Sequence, residues 1–367
     1  MDVNGTPESY LDGASAQRLH PLAKETLLAA LDRGYGDPRR LHAAGRDARL
    51  LLDNARAVIA ECLGVRPEEV GFTCSGTDAV HRGLLGLGAA SNRLGIAHSA
   101  VEHSSVLHAV RWRESPAHVC VEVDATGRVD TSALERAARG DGVGVVALQA
   151  ANQEVGTLQP IDDLDLPPEA SAALGHLPLP TRWDAMAGSA HKWGGPAGVG
   201  VLLVRQPTRW ITPFPGEDTL DQPGFPNVPA VLAAAAALQA CLAEQAELAA
   251  RQFAQVERIR TAAAALPETE VVGAPESRLP HLATFSCLYV GGDEIVTALA
   301  ARGFGVASGS ACTASTLEPS HVLAAMGALT HGNVRVSVTR ETTDADVDAF
   351  CAALTECVHQ IRERAGL

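Results

Sequence analysis

The chain has 367 residues, 46% of them hydrophobic, and a formal net charge of −14. That length exceeds one ordinary domain and predicts two, each with its own core. The acidic balance argues against a nucleic-acid or anionic-membrane surface and favours small-molecule chemistry.

The start, Met1 to Glu8, has neither the basic nor the apolar region of a signal peptide. Eight cysteines, at 62, 74, 120, 241, 287, 312, 351 and 357, include no Cys-x-x-Cys pair, and thirteen histidines include no His-Glu-x-x-His. The pattern predicts free thiols in a cytoplasmic protein with no metal site.

In chain order, Tyr10 to Ser15 reads as a short strand and Pro21 to Asp32 as a helix. Leu50, Leu51, Ala55, Val58, Ile59 and Cys62 recur at helical spacing and predict an amphipathic helix over 46–64. Glu69 to Cys74 reads as a strand, and Ser75-Gly-Thr-Asp78 opens an apolar helix reaching about Leu87. Strands are expected at 94–100, 119–123 and 142–149, with a turn and helix at 127–139; the last of these strands is apolar throughout, as in a buried parallel sheet. From Pro160 the chain is short and proline-broken, and too little of it remains for a further helix and strand. Val199 to Val204 is a buried strand, and Trp210 to Asn227 a proline-rich candidate hinge. A long alanine-rich helix over 229–266 faces the core rather than a membrane. A smaller α+β domain follows: strand 281–290, helix 293–302, helix 319–326, strand 333–338 and helix 344–363. The domains are expected at 15–228 and at 1–14 with 229–367.

Several stretches have the composition of reactive sites. Ser75-Gly76-Thr77 at a helix start offers N–H groups and a hydroxyl to a phosphate, or serves as an ordinary cap. His103, just past a strand, is placed to stack on a flat ring and move protons, or is a surface histidine. Asn152 ends another strand, where α/β folds bind ligands, or merely turns the chain before Gly156. Lys192 lies in Ser189-Ala-His-Lys-Trp-Gly-Gly-Pro-Ala-Gly-Val-Gly200. Partial burial there would favour the neutral amine that Schiff-base chemistry needs. Cys312 sits in the Gly/Ser-rich Ser308-Gly-Ser-Ala-Cys-Thr, an accessible setting for a thiolate nucleophile, whereas the other seven mostly have apolar neighbours.

Ser-Ala-His-Lys followed by the glycine-rich tail resembles the cofactor-lysine segment of fold-type I pyridoxal phosphate (PLP) enzymes of the class V aminotransferase branch. Ser-Gly-Ser-Ala-Cys-Thr with Leu-Glu-Pro-Ser-His-Val-Leu (317–323) resembles the catalytic loop of NifS/IscS-type cysteine desulfurases. Ser-Gly-Thr-Asp (75–78), Glu-His-Ser-Ser-Val-Leu (102–107), Ala-Asn-Gln-Glu-Val-Gly (151–156), Asn-Val-Arg-Val-Ser (333–337) and Glu-Thr-Thr (341–343) join it in the family's order. The resemblance implies an α/β fold with a large domain, built on a mainly parallel seven-stranded sheet, and a small α+β domain. It implies a homodimer that converts L-cysteine to L-alanine. Lys192 would hold PLP and shuttle the Cα proton, and His103 would stack on the ring. Gly76, Thr77, Ser189 and His191 would bind the phosphate. Asn152 and Arg335 would hold the substrate carboxylate, and Cys312 would take the sulfur as a persulfide. The acceptor protein stays open: an iron–sulfur scaffold, a tRNA-thiolation protein or a natural-product pathway.

The sequence departs from the family twice. Where the family has His-x-Asp-Ala-Ala-Gln, with Asp on the ring nitrogen and Gln on the ring oxygen, this chain has Glu169-Ala-Ser-Ala172, and the preceding stretch is about ten residues short by comparison with that pattern. Glu169 takes the Asp position, with Asp165 as a possible substitute. The family's Gly-Thr-x-Asn, whose Thr reaches the partner's phosphate, reads Gly224-Phe-Pro-Asn227. A selenocysteine lyase or other C–S lyase of the same fold is the alternative within this chemistry, and a non-catalytic partner protein the alternative outside it.

Overall fold

The computed structural model describes residues 9–165, 169–171, 178–216, 219–308 and 319–366. Cys312 and Ala172 fall outside them, and for Glu169 the backbone alone is described.

Strand β1 (Ser9–Tyr10) leads into α1 (Pro21–Arg33) and α2 (Ala43–Leu63). The large sheet and its helices follow: β2 (Val70–Thr73), α3 (Gly76–Ala90), β3 (Gly95–Ser99), α4 (Ser104–Arg113), β4 (Val119–Val121), α5 (Thr131–Ala138), β5 (Val143–Gln149), β6 (Glu169–Ser171), β7 (Ala185–Ser189) and β8 (Gly200–Val204). Helix α6 (Val228–Ala264) connects to β9 (Thr269–Val272), β10 (Leu282–Cys287), α7 (Gly292–Ala300), β11 (Phe304–Gly305), α8 (His321–Met326), β12 (Asn333–Ser337) and α9 (Asp344–Ala365).

Seven strands form one sheet in the order β2-β8-β7-β6-β5-β3-β4, parallel except for β8, which runs against both neighbours. Both faces are covered, which is why β8 is buried at every position. On one face α3 and α4 pack Leu84, Val106 and Ala109 against Ile96, Ala147 and Leu202. On the other, α2 turns Ala48, Leu52, Ala55 and Ile59 inward, at the spacing of a helical stripe. Ile161, Leu164 and Trp183 fill the same layer where the chain is short.

The second core lies between the small sheet, order β12-β10-β9 and antiparallel, and helices α7 and α9. Helix α6 serves both cores: Val228, Val231 and Leu238 enter the first, Val256 and Ile259 the second. By length and composition α6 is apolar enough to cross a membrane, but these apolar side chains are buried within the molecule. The amino-terminal strand joins the second core, with β1 paired to β11 and Leu11 buried there.

Two sequence expectations change. The segment after Pro160 does supply a strand: β6 sits between β5 and β7, and only a 3-10 turn (Ile161–Asp163) stands where a helix was judged impossible. Three residues suffice because the strands on either side complete its hydrogen bonds. The proline-rich stretch is no free hinge. Trp210 Nε1 donates to the Arg82 carbonyl at 2.9 Å, Gln222 N donates to the Phe72 carbonyl at 2.8 Å, and Phe214 and Leu220 pack on the α3 core.

Candidate active site

Strands β2, β3, β5 and β7 end at one edge of the sheet, and the residues singled out above follow those ends. Ser75 caps α3, its Oγ accepting from Asp78 N at 3.1 Å. A Cβ on Gly76 would lie 2.8 Å from Ser189 Cβ, so only glycine lets the start of α3 close against the end of β7. Ser189 Oγ in turn meets His191 Nδ1 at 2.9 Å. Helix N–H groups, the Thr77 position, the Ser189 hydroxyl and an imidazole thus converge on one spot, a donor set that fits a phosphate.

His103 caps α4, its Nδ1 accepting from Ser105 N at 3.1 Å and lying 2.8 Å from Ser105 Oγ. An accepting Nδ1 leaves the ring proton on Nε2. Burial, then the positive charge of Lys192, push the His103 pKa down to about 4, so the ring is neutral across the physiological range. Beneath it Glu102 is fully buried, with Oε1 accepting from Gln149 N at 2.9 Å and Oε2 unpartnered. Burial pushes its pKa up to about 8, against the pull of N–H groups from Gln149 and His103. A carboxyl raised in this way favours folding fully below its unfolded value, near 4.5, and loses that contribution as pH rises towards about 8. Glu102→Gln is therefore expected to raise the unfolding temperature at pH 8 and leave it nearly unchanged at pH 5; thermal unfolding at the two pH values checks this.

Lys192, just after β7, sends its Nζ to the carbonyls of Ala14 and Ser15, the latter at 3.1 Å. Arg335, in the middle of β12 and with a side chain 3% exposed, reaches the same turn: Nη2 donates to Ser15 Oγ at 2.6 Å and to Asp12 Oδ1 at 3.0 Å. The amine from the first core and the guanidinium from the second thus meet on Ser15.

The amide expected on a substrate carboxylate is engaged elsewhere. Asn152 is fully buried; its Nδ2 donates to the Val101 carbonyl at 3.0 Å, and its Oδ1 accepts from Glu154 N at 2.8 Å and Val155 N at 2.9 Å. It builds the turn after β5. The neighbouring Gln153 has both amide atoms buried without a hydrogen-bond partner, while its carbonyl accepts from Arg335 Nη1 at 3.1 Å. Gln153 was not among the expected site residues, although it is a second amide in the same Ala151-Asn-Gln-Glu-Val-Gly156 motif.

The backbone of Glu169 pairs with that of Ala147, near the end of β5. Asp165 is no substitute. Its side chain is 78% exposed and pairs with Arg139 at 3.3 Å and Arg182 at 3.8 Å.

Both ends of the segment bearing Cys312 are rooted here. Ala307 exchanges backbone hydrogen bonds with Arg335, at 2.7 and 3.1 Å. Past the segment, Ser320 Oγ donates to Glu154 Oε2 at 2.6 Å, and His321 Nε2 lies 2.9 Å from the Glu102 carbonyl oxygen. The seven described cysteines are free thiols; Cys74 and Cys120 are exposed and the other five are partly or fully buried.

The family model for class-V aminotransferases ("Aminotransferase class-V") matches residues 9–350. An "IscS-like cysteine desulfurase" of Mycobacterium tuberculosis is 35% identical, over 97% of this chain and 98% of that protein. A "Cysteine desulfurase IscS" of Methanosarcina thermophila is 28% identical, over 98% of this chain and 94% of its own. Among solved structures, a "NifS-like protein" superposes with a TM-score of 0.86 at 25% identity, covering 96% of this chain and 99% of that one.

Proposed function

The chain belongs to the class-V aminotransferase family, and on that premise we propose that it is a pyridoxal-phosphate-dependent cysteine desulfurase of the NifS/IscS type, converting L-cysteine to L-alanine with the sulfur carried as a persulfide on Cys312. The observation that carries this reading is the meeting of Lys192 and Arg335, from two separate cores, on one residue, Ser15. Incubation with L-cysteine and a thiol reductant should yield alanine and sulfide in equal amounts; alanine formed from L-selenocysteine but not from L-cysteine would favour the selenocysteine-lyase alternative.

Pyridoxal phosphate, when bound, supplies an electron sink for bonds at the amino acid's α-carbon. The residues of this chain supply placement. Gly76, Thr77, Ser189 and His191 would hold the phosphate, and Lys192 would be the amine that links to the cofactor and carries the Cα proton. His103, neutral with its proton on Nε2, would face the ring. Arg335 holds the substrate carboxylate. Gln153 takes the amide role first given to Asn152, because its donor and acceptor are the ones left unpaired. The Cys312 thiolate forms an S–S bond to the substrate sulfur as the C–S bond breaks, and the carbon skeleton gains a proton and leaves as alanine.

Glu169 would supply the negative charge for the ring nitrogen. Glu169→Ala is expected to lower kcat about a hundredfold, the scale of losing one preorganised electrostatic contact. Asp165→Ala should leave kcat unchanged, and the reverse pattern would show that the acidic role has been placed on the wrong residue.

The division into 15–228 and 1–14 with 229–367 belongs to this reading, with α6 threading both cores, as does a cytoplasmic setting for the free thiols. A homodimer is supported by exposed apolar side chains around the proline-rich strap: Phe225 and Tyr35 pack rings 5.8 Å apart, and Leu41 is 86% exposed nearby in sequence. A monomer in sedimentation equilibrium would contradict it. The acceptor would be a protein with a thiol able to take the Cys312 sulfur, whether an iron–sulfur scaffold, a tRNA-thiolation protein or a member of a natural-product pathway.

A further inference from the structure

The turn Asp12–Ser15 lies between the two charged groups of the cleft and contacts both. It is fixed to β12 by Gly13 N to the Ser337 carbonyl at 3.1 Å, Ala14 N to Ser337 Oγ at 2.8 Å, and Ser337 N to the Leu11 carbonyl at 2.8 Å. Asp12, Ser15 and Arg335 close a ring. Arg335 Nη2 donates to Asp12 Oδ1 and to Ser15 Oγ, and the Ser15 hydroxyl donates to the same Asp12 oxygen at 2.9 Å.

The other nitrogens of Arg335 complete the picture. Nη1 is used by the Gln153 carbonyl, and Nε is buried with no partner. A carboxylate is held best by two parallel N–H donors of one guanidinium. With Nη2 shared between Asp12 and Ser15, a substrate carboxylate cannot take both prongs. A buried guanidinium also needs a counter-charge when no substrate is bound, since an unpaired buried charge is strongly destabilising. Asp12 fills that need. Its side chain is 23% exposed against 3% for Arg335, so it stands on the solvent side of the pair, where an incoming anion arrives.

We propose that Asp12 is a built-in carboxylate that neutralises Arg335 in the empty cleft and competes there with the carboxylate of the incoming amino acid, so that this residue sets the affinity for α-carboxylate substrates. The proposal rests on the reading of Arg335 as the carboxylate site. It differs from a purely supporting role in sign: a support, once removed, leaves Arg335 misplaced and weakens substrate binding, whereas a competitor, once removed, strengthens it.

The test uses the full-length holoenzyme with Asp12→Asn, Ser15→Ala and Arg335→Gln, acetate and L-alanine as non-reacting probes, and thermal unfolding alongside kinetics. Asp12→Asn should unfold at a lower temperature without ligand, yet gain a larger rise from added acetate than the unaltered protein does, because the probe then supplies the missing counter-charge. Its KM for L-cysteine should fall about tenfold, the lower end for loss of a close like-charge neighbour. Ser15→Ala, which loosens the ring and keeps the charge, should move KM the same way by less, and it carries the test if Asp12→Asn does not fold. A KM that rises or stays unchanged in the folded variants, with no larger acetate response, overturns the proposal. Arg335→Gln should abolish the acetate response; if the response persists, the carboxylate site is elsewhere and both statements fall. Acetate has no sulfur, so the thermal readout stands even if the protein does not turn over cysteine.

Discussion

Lys192→Ala is expected to purify without the yellow absorbance of covalently held pyridoxal phosphate and to lose cysteine turnover by more than about a thousandfold, the scale seen when a group that acts in the chemistry itself is removed. Lys192 reaches the Ala14–Ser15 turn beside the phosphate cradle, and its charge bears on both His103 and His191. The fold should survive the change, because Trp193, fully buried next to it, keeps its Nε1 bond to the Ala234 carbonyl at 3.1 Å. Visible absorbance together with unfolding temperature checks both parts. Absorbance retained in the folded variant would mean that another lysine carries the cofactor.

Cys312→Ser should keep that absorbance and lose sulfide release from L-cysteine by a similar factor. A hydroxyl at this position is neither ionised at neutral pH nor able to hold a second sulfur as a persulfide. The ends of its segment should stay in place, since they are held by Arg335 backbone bonds on one side and by Glu154 and Glu102 on the other, none of which involves the thiol. Full sulfide release by the serine variant would remove Cys312 from the chemistry and shift the balance towards a simple C–S lyase.

What the sequence made legible has a physical pattern. The helix carrying Leu52 and Ile59 and the strand Gly200–Val204 declare themselves because burial on one stripe, or on both faces, leaves a periodic record in the residues. The phosphate cradle is readable because it is local: Ser75-Gly76-Thr77 and Ser189-Ala-His191 each form a unit, and only their meeting needs the fold. Strand β6 left no record, since Glu169-Ala-Ser171 has no apolar pattern and exists through what its neighbours offer. The choice between Asn152 and Gln153 depends on which amide the turn consumes, and adjacent amides look alike in a sequence. The pairing of Asp12 with Arg335 joins positions 323 residues apart, beyond the reach of spacing arguments.

The most direct test of the whole account is mass spectrometry of the unaltered holoenzyme after brief exposure to L-cysteine without reductant. The account predicts one added sulfur atom on the peptide containing Cys312, removed by a thiol reductant and accompanied by alanine. Alanine formed while that peptide stays unmodified, or the added sulfur found instead on the exposed Cys74 or Cys120, would contradict it.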